Sequence, residues 1–389
     1  METLHIAMVS GAMPPKPNAI GEHAFNLACA LSDKGHQLTV IDRGSRRSVG
    51  DERGIRRLTV RFAPAYPYHA QATSWLNREW VLNQIKSCEI VHYHSPLLCP
   101  FVDDGRTIAT CHVRVHDLIA AERPNTARSI IEKVTMYPLQ WQEKHLLDSS
   151  IGIIALNRSI ERTLGNLSER VVVKRIPHAI ETSDYTRVIE ERKPNRVIYF
   201  GQLIERKNLE TLLKAFARFS SRKRDARLVM VGRGNLEARL KVISRDLGLS
   251  ESVEFLGYVT ESRLKEELAE ASIFVLPSFE EGVSSALLEA MASGLVCLVS
   301  DIEANKDVIS DGENGLLFPA GSHMALAELL ESCSGNEDLR VDLSRRARDY
   351  VVKKHDWKVI VKDVEHFYHE AMDHATSSNH SVVSSKRRH

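Results

Sequence analysis

The chain has 389 residues, 43% hydrophobic and 26% charged, an ordinary globular composition with length for two domains that each bury a core. Lysine and arginine total 52 against 51 acidic residues, so no overall field would draw the protein onto nucleic acid, and that partner class is not expected. The six cysteines (Cys29, Cys88, Cys99, Cys111, Cys297, Cys333) show neither paired spacing nor metal-ligand spacing with histidine, and read as reduced thiols of a cytoplasmic protein.

The N-terminal METLHIAMVSG has an apolar run of strand length but no positive n-region and no long h-region, so no export signal is expected. No run of about 18 apolar residues occurs, so no segment is expected to span a bilayer. Peripheral contact at the inner membrane face stays open.

In chain order, apolar runs predict strands at Leu4 to Val9, Leu38 to Ile41, Ile90 to His92, Ile108 to Cys111, Ile151 to Leu156 and Val171 to Ile176. Helices fill the intervals. The first of them, Gly21 to Lys34, places Phe25, Leu27, Ala28 and Leu31 near one face and stops at Lys34-Gly35. Residues 43 to 61 carry Arg43, Arg46, Arg47, Arg53, Arg56, Arg57 and Arg61 with few acids, and residues 112 to 145 form a basic helical stretch with Trp141. Such a run reads first as a solvated charged face and second as a docking surface for anionic lipid or a charged glycan.

A polar stretch over 188–195, containing Pro194, reads as the linker between a first domain over 1–187 and a second over 196–356. Strands restart at Val197 to Phe200, Leu228 to Val231, Val253 to Leu256, Ile273 to Leu276, Val296 to Val299 and Leu316 to Phe318. A helix over 357–375 follows, and 376–389 lacks a buried pattern and reads as disordered. Strand and helix alternate twice, which predicts an α/β protein with two doubly wound parallel sheets.

The most informative segment is PSFEEGVSSALLEAMASGLVCLV, Pro277 to Val299, where a strand ends, a glycine-bearing loop follows and a helix starts near Ser284 or Ser285. A helix N-terminus offers unpaired N–H groups and partial positive charge, so the loop Glu281-Gly282-Val283-Ser284-Ser285 suits a diphosphate without a metal. Gly282 permits close backbone approach. Glu289 lies among Leu287, Leu288, Ala290, Met291 and Ala292, so its carboxylate is expected to be buried and partnered. Taken singly, Glu281 would be only a helix-dipole partner and Glu289 only a solvated helix residue.

Glu281, Glu289 and AMASG at Ala290 to Gly294 resemble the donor motif of glycosyltransferase family 4, and the likeness extends over residues 4 to 42 and 90 to 356. The resemblance implies the GT-B fold, two Rossmann-like domains facing a central cleft, with the helix over 357–375 crossing back to the first domain. It implies that Glu289 binds the ribose hydroxyls and that Glu281 meets the donor sugar. YFGQLIERKNLETLLKAF, Tyr199 to Phe216, is similar to the family's pyrophosphate loop: Lys207 matches, Gln202 stands where an arginine is usual, and Arg206 is a candidate substitute. Gly232 and Gly257, each at a strand end, resemble the nucleotide-base loops, although a lone GxG is in itself a weak turn signal. In the first domain Gly21 matches the glycine of the first loop and helix, and His112 a histidine that touches the donor sugar. His178 and Ala179 replace the usual pair of I-P-N-G, and Trp357 reads as packing.

The resemblance implies retaining transfer from a UDP- or GDP-sugar to a glycan, lipid-linked or small-molecule acceptor, in polysaccharide or glycolipid biosynthesis. Lys207, the loop amides and the helix dipole would help the diphosphate depart, with Glu281 and His112 orienting. No convincing DxD loop occurs, so neither a metal nor a cofactor is expected beyond the nucleotide sugar itself. A dehydrogenase is disfavoured because no GxGxxG follows Val9. A GT-B subunit that binds nucleotide sugar or a partner without turnover, and a GT-B phosphorylase or sugar-phosphate synthase, stay as alternatives.

Overall fold

A computed structural model describes residues 2–11, 13, 19–63, 69–94, 104–112, 114–115, 127–167, 171–185 and 192–386. The chain divides into two compact units, Met1–His178 with Trp357–His389, and Ala179–Asp356. Of the stretch read as a linker, 188–191 lies outside the described residues, and Arg192 to Asn195 belong to the second unit, where Lys193 pairs with Glu270.

The first unit carries β1 (His5–Val9), α1 (Ala19–Ser32), β2 (Gln37–Gly44), β3 (Ser48–Glu52), β4 (Ile55–Arg61), α2 (His69–Gln84), β5 (Ile90–Tyr93) and β6 (Thr107–Cys111). It continues with α3 (Ala127–Asp148), β7 (Gly152–Ala155), α4 (Arg158–Leu164) and β8 (Val172–Arg175). Its sheet has the order β3-β4-β2-β1-β5-β6-β7-β8 and is parallel except for β3. β1 pairs with β2 along its length and with β5 from Ile6 to Val9, and those four residues are buried, as an uninterrupted apolar run requires. The stop signal after α1 works as expected: Gly35 takes φ +95° and His36 N donates to the Leu31 carbonyl at 3.2 Å.

The second unit contains β9 (Arg196–Phe200), α5 (Leu209–Arg222), β10 (Arg227–Val231), α6 (Glu237–Asp246), β11 (Val253–Gly257), α7 (Glu261–Glu270) and β12 (Ile273–Leu276). α8 (Ser285–Ala292), β13 (Val296–Ser300), α9 (Glu303–Lys306), β14 (Leu316–Phe318), α10 (His323–Gly335) and α11 (Glu337–Lys354) complete it. The six strands run in the order β11-β10-β9-β12-β13-β14, all parallel. α5 shows why the helices lie on the sheet: Leu209, Leu212, Leu213, Phe216 and Phe219 form one buried stripe at spacings of three and four. The expected doubly wound α/β fold is thus present in each unit.

Three expectations need correction. The arginine run over 43–61 is solvated only in part: Arg46, Arg47, Arg53 and Arg61 are exposed, but the run forms the sheet's edge, where β3 and β4 make a hairpin whose two-residue turn, Arg53-Gly54, has φ +56° and +75°. Three of its arginines bond within the unit. Arg57 pairs with Asp42 at 2.8 Å and Glu52 at 2.5 Å, Arg47 donates to Asn77 at 2.9 Å, and Arg56 bonds the Gln84 carbonyl at 3.2 Å. α1 begins at Ala19, two residues before the expected start, so Gly21 is buried within its first turn rather than opening the helix. The last helix, α12 (Trp357–Lys386), continues through most of the stretch read as disordered, because extending a helix whose earlier turns are already packed needs no new nucleus; 387–389 lies outside the described residues. α12 belongs to the first unit, where Gly152 leaves room for Phe367 and Ala371.

Candidate functional site

In open parallel sheets, ligands meet the carboxyl ends of strands where the strand order reverses. In the second unit that point lies between β9 and β12, and it brings together the two loops that carry the motifs. They are stitched by one backbone and one side-chain bond: Phe279 N donates to the Arg206 carbonyl at 2.9 Å, and Asn208 Nδ2 to the Pro277 carbonyl at 3.1 Å. Asn208 itself turns the chain into α5 with φ +50°, a left-handed conformation that asparagine tolerates.

Glu281 sits at the centre of this junction with only 4% of its side chain exposed. Its Oε1 accepts from Lys207 Nζ at 2.5 Å and from Ser278 Oγ at 2.5 Å, and its Oε2 from Arg206 at 3.2 Å. Arg206 also donates to the Glu280 carbonyl at 3.2 Å. Burial pushes the Lys207 ammonium below its ordinary pKa, and Glu281 opposes that shift. Two cations therefore converge beside the start of α8. Ser284 caps that helix through Leu287 N, and Ser285 and Ala286 supply first-turn amides, which lack intrahelical partners. Gly282 and Val283 lie in the loop between, both partly exposed.

Glu289 departs from expectation. It is partly accessible rather than buried, although it is partnered as expected, by a side-chain hydrogen bond with Tyr185. Burial first, then the Glu289 charge, raises the Tyr185 phenol well above its ordinary range. Gln202 is exposed, and its carbonyl accepts from Tyr199 at 2.7 Å.

Gly232 and Gly257 end β10 and β11 on the same sheet edge, and Gly232 N donates to the Gly257 carbonyl at 2.7 Å. A Cβ on Gly232 would lie 1.9 Å from the Gly201 carbonyl oxygen, and one on Gly234 would lie 2.1 Å from that of Leu203. The GxG motif thus makes room for the backbone that leads to Lys207. Gly232→Ala, at φ +130°, is expected to cost about 3 kcal/mol. Urea unfolding measures it, and a cost below about 1 kcal/mol would contradict the packing role.

In the first unit the strand order reverses at β1 and β5. His112, directly after β6, is partly exposed and stands in a histidine cluster that sequence reasoning missed. His94 Nδ1 lies 3.2 Å from His112 Nε2; His23 of α1 meets the His112 ring edge-on at 5.1 Å and stacks on His178 at 4.6 Å. Trp357 lies 5.1 Å from His23, as packing. His92 is buried beneath, its two nitrogens at 2.7 Å from the Tyr368 hydroxyl and from Thr110 Oγ1. Burial pushes His92 down to about 3 and holds His23, His94 and His112 well below the ordinary value, with neighbouring histidines adding to the effect. The signal was in HYHS, which places His92 and His94 at the end of β5 just as TCH places His112 at the end of β6.

Residues 20–184 match the family described as Glycosyltransferase Family 4, and residues 184–350 that described as Glycosyl transferases group 1. The chain belongs to glycosyltransferase family 4. Among its relatives, the phosphatidyl-myo-inositol mannosyltransferase of Mycobacterium leprae is 25% identical over 98% of this chain and 100% of the relative. The N-acetyl-alpha-D-glucosaminyl L-malate synthase of Bacillus anthracis is 25% identical over 92% and 95%. Of solved structures, a sucrose-phosphate synthase from Thermosynechococcus elongatus superposes with a TM-score of 0.76 at 18% identity, covering 94% of this chain and 98% of the other. That likeness is one of fold, and this family 4 glycosyltransferase is of GT-B type. No helix among the described residues is long and apolar enough to cross a membrane.

Proposed function

We propose that this glycosyltransferase moves a sugar, with retention of anomeric configuration, from a UDP- or GDP-sugar to a glycan, lipid-linked or small-molecule acceptor. The observation that carries the donor assignment is the convergence of Lys207 and Arg206 on Glu281 at the start of α8. A diphosphate arriving there replaces a carboxylate oxygen on Lys207 and takes the first-turn amides, while Glu281 is released toward the sugar. Arg206 supplies the second cation that Gln202 lacks. Glu289, already accepting from Tyr185, has the remaining acceptor capacity for ribose hydroxyls. Gly21 and His112 keep the roles that the family likeness implies for them.

The bond between the anomeric carbon and the phosphate oxygen breaks as the acceptor oxygen bonds the same face of that carbon. The acceptor proton passes to the departing phosphate oxygen, so no protein nucleophile is needed. Lys207, Arg206 and the α8 dipole stabilise the charge that grows on the diphosphate. No step calls on a metal. The relatives differ in sugar and in acceptor, a phosphoinositide in one name and malate in the other, so the panel tested must be broad. For a lipid-linked acceptor, a cavity of about 400 Å3 lined by Tyr137, Trp141, Lys144 and Arg114 is the candidate dock, with Trp141 64% exposed.

Binding and slow hydrolysis of UDP-, GDP- and ADP-sugars test the donor site. One donor is expected to bind and turn over, with Glu289→Ala weakening it about 100-fold through loss of a charged hydrogen-bond acceptor. Binding without turnover on any acceptor would favour a non-catalytic nucleotide-sugar-binding subunit. No binding at all would sink the assignment.

A further inference from the structure

We propose that His23, His94 and His112 form a three-imidazole site for a borderline divalent transition metal such as Zn2+, in the first unit alone. One nitrogen from each ring lies within 4.8 Å of the others. The His94 Nδ1 to His112 Nε2 separation of 3.2 Å is close to the edge of about 3.3 Å between two nitrogens bound to tetrahedral zinc at about 2.0–2.1 Å. One nitrogen of this group outside that pair, His23 Nδ1, is buried and has no hydrogen-bond partner among the described residues. His23 and His94 are each more than nine-tenths buried, His23 at 5% and His94 at 2% exposure. Buried polar atoms ordinarily find a partner, so an unpartnered His23 nitrogen in a ring packed against two further imidazoles points to a missing ligand.

The ligand set selects the ion. Imidazole suits zinc, copper, nickel and iron, whereas magnesium and calcium prefer oxygens, and none is offered within the group. His92 is excluded as a fourth ligand because the Tyr368 hydroxyl and Thr110 already occupy both its nitrogens; it backs His94 at 4.3 Å between ring centres. His112 is the partly exposed member, so the fourth position opens on its side, the arrangement of a site that exchanges water or substrate oxygen rather than a closed structural one. On binding, the proton shared between His94 and His112 moves to the other nitrogen of one ring, so three neutral imidazoles coordinate without net loss of protons. The inference is separate from the glycosyl-transfer reading except that both use His112.

The test is metal binding by the full chain, stripped with a chelator and then titrated with Zn2+ or Co2+ in the absence of any sugar nucleotide. One Zn2+ per chain is expected to survive desalting, and Co2+ is expected to give the visible bands of a pseudo-tetrahedral nitrogen site without sulfur charge transfer. His94→Gln and His23→Gln should each weaken Zn2+ by more than about 100-fold, while His366→Gln, on the exposed surface, should leave it unchanged. Equal affinity in His94→Gln and wild type, sulfur bands, or less than half an equivalent bound would overturn the site. Should both variants fail to fold, the Co2+ spectrum of the wild-type chain still decides, a nitrogen-only spectrum at one equivalent supporting the site and any other result refuting it.

Discussion

Lys207→Met is expected to lower turnover about 100- to 1000-fold, the usual consequence of removing one preorganised charge from a developing oxyanion. It should also lower the stability of the second unit by about 3 kcal/mol, because Glu281 is left as a buried carboxylate short of one partner. The two effects have different origins and can be separated. Lys207→Met with Glu281→Gln removes the stranded charge along with the cation, so most of the stability should return while turnover stays lost. Arg206, 43% exposed, has water for compensation, and Arg206→Ala should leave stability within about 0.5 kcal/mol. Paired measurements of kcat and urea midpoint on these variants decide the matter. Full turnover in Lys207→Met would remove the lysine from the chemistry, and an unrecovered midpoint in the double variant would show that the pair contributes packing beyond its charge.

Lowering the pH from 7 to 5 is expected to destabilise the first unit by about 2 kcal/mol for each buried neutral histidine, about 6 kcal/mol for His23, His92 and His94 together. All three have folded-state pKa values below the ordinary 6.5, from burial first and from neighbouring histidines second. The unfolded chain takes up protons below about 6.5 and the folded chain does not. Stability is therefore complete above that pH and falls as pH drops through the window between 6.5 and the lower folded values, about 3 for His92. The groups facing the cluster are His112, His178, Trp357, Thr110 and the Tyr368 hydroxyl, and among the described residues no carboxylate contributes to the shift. Urea midpoints at half-unit steps between pH 7.5 and 5, above the main carboxylate range, isolate the histidines. A midpoint flat across that range would show that the cluster admits protons or water.

Most of the fold was legible because each unit is a parallel α/β layer, and buried parallel strands leave continuous apolar runs such as VIYF and IFVL. β3 and β4 escaped for the opposite reason. They lie toward the sheet's edge, and RRLTVR tolerates its arginines because Arg57 is met by Asp42 of β2 and Glu52 of β3 and Arg56 by the Gln84 carbonyl of α2. The helical reach of α12 to Lys386 was equally hidden, since its polar last turns continue a helix nucleated by buried residues from Trp357 to Ala371.

The donor motif was readable residue by residue, since Lys207, Gly282, Ser284 and Glu289 are marked by residue type and by their offset from a strand end. Family, fold class and the candidate phosphate loop follow from that local order alone. Contact and burial do not, because they depend on which strands lie side by side. Only the β9–β12 adjacency brings Glu281 onto Lys207 and Arg206, residues 74 and 75 positions away. Only the β5–β6 adjacency, with α1 packed on the neighbouring β1 and β2, gathers His23, His94 and His112 from three separate segments into one group. Long-range pairing leaves no periodic trace in a chain, so the electrostatics of both clusters belong to the tertiary structure.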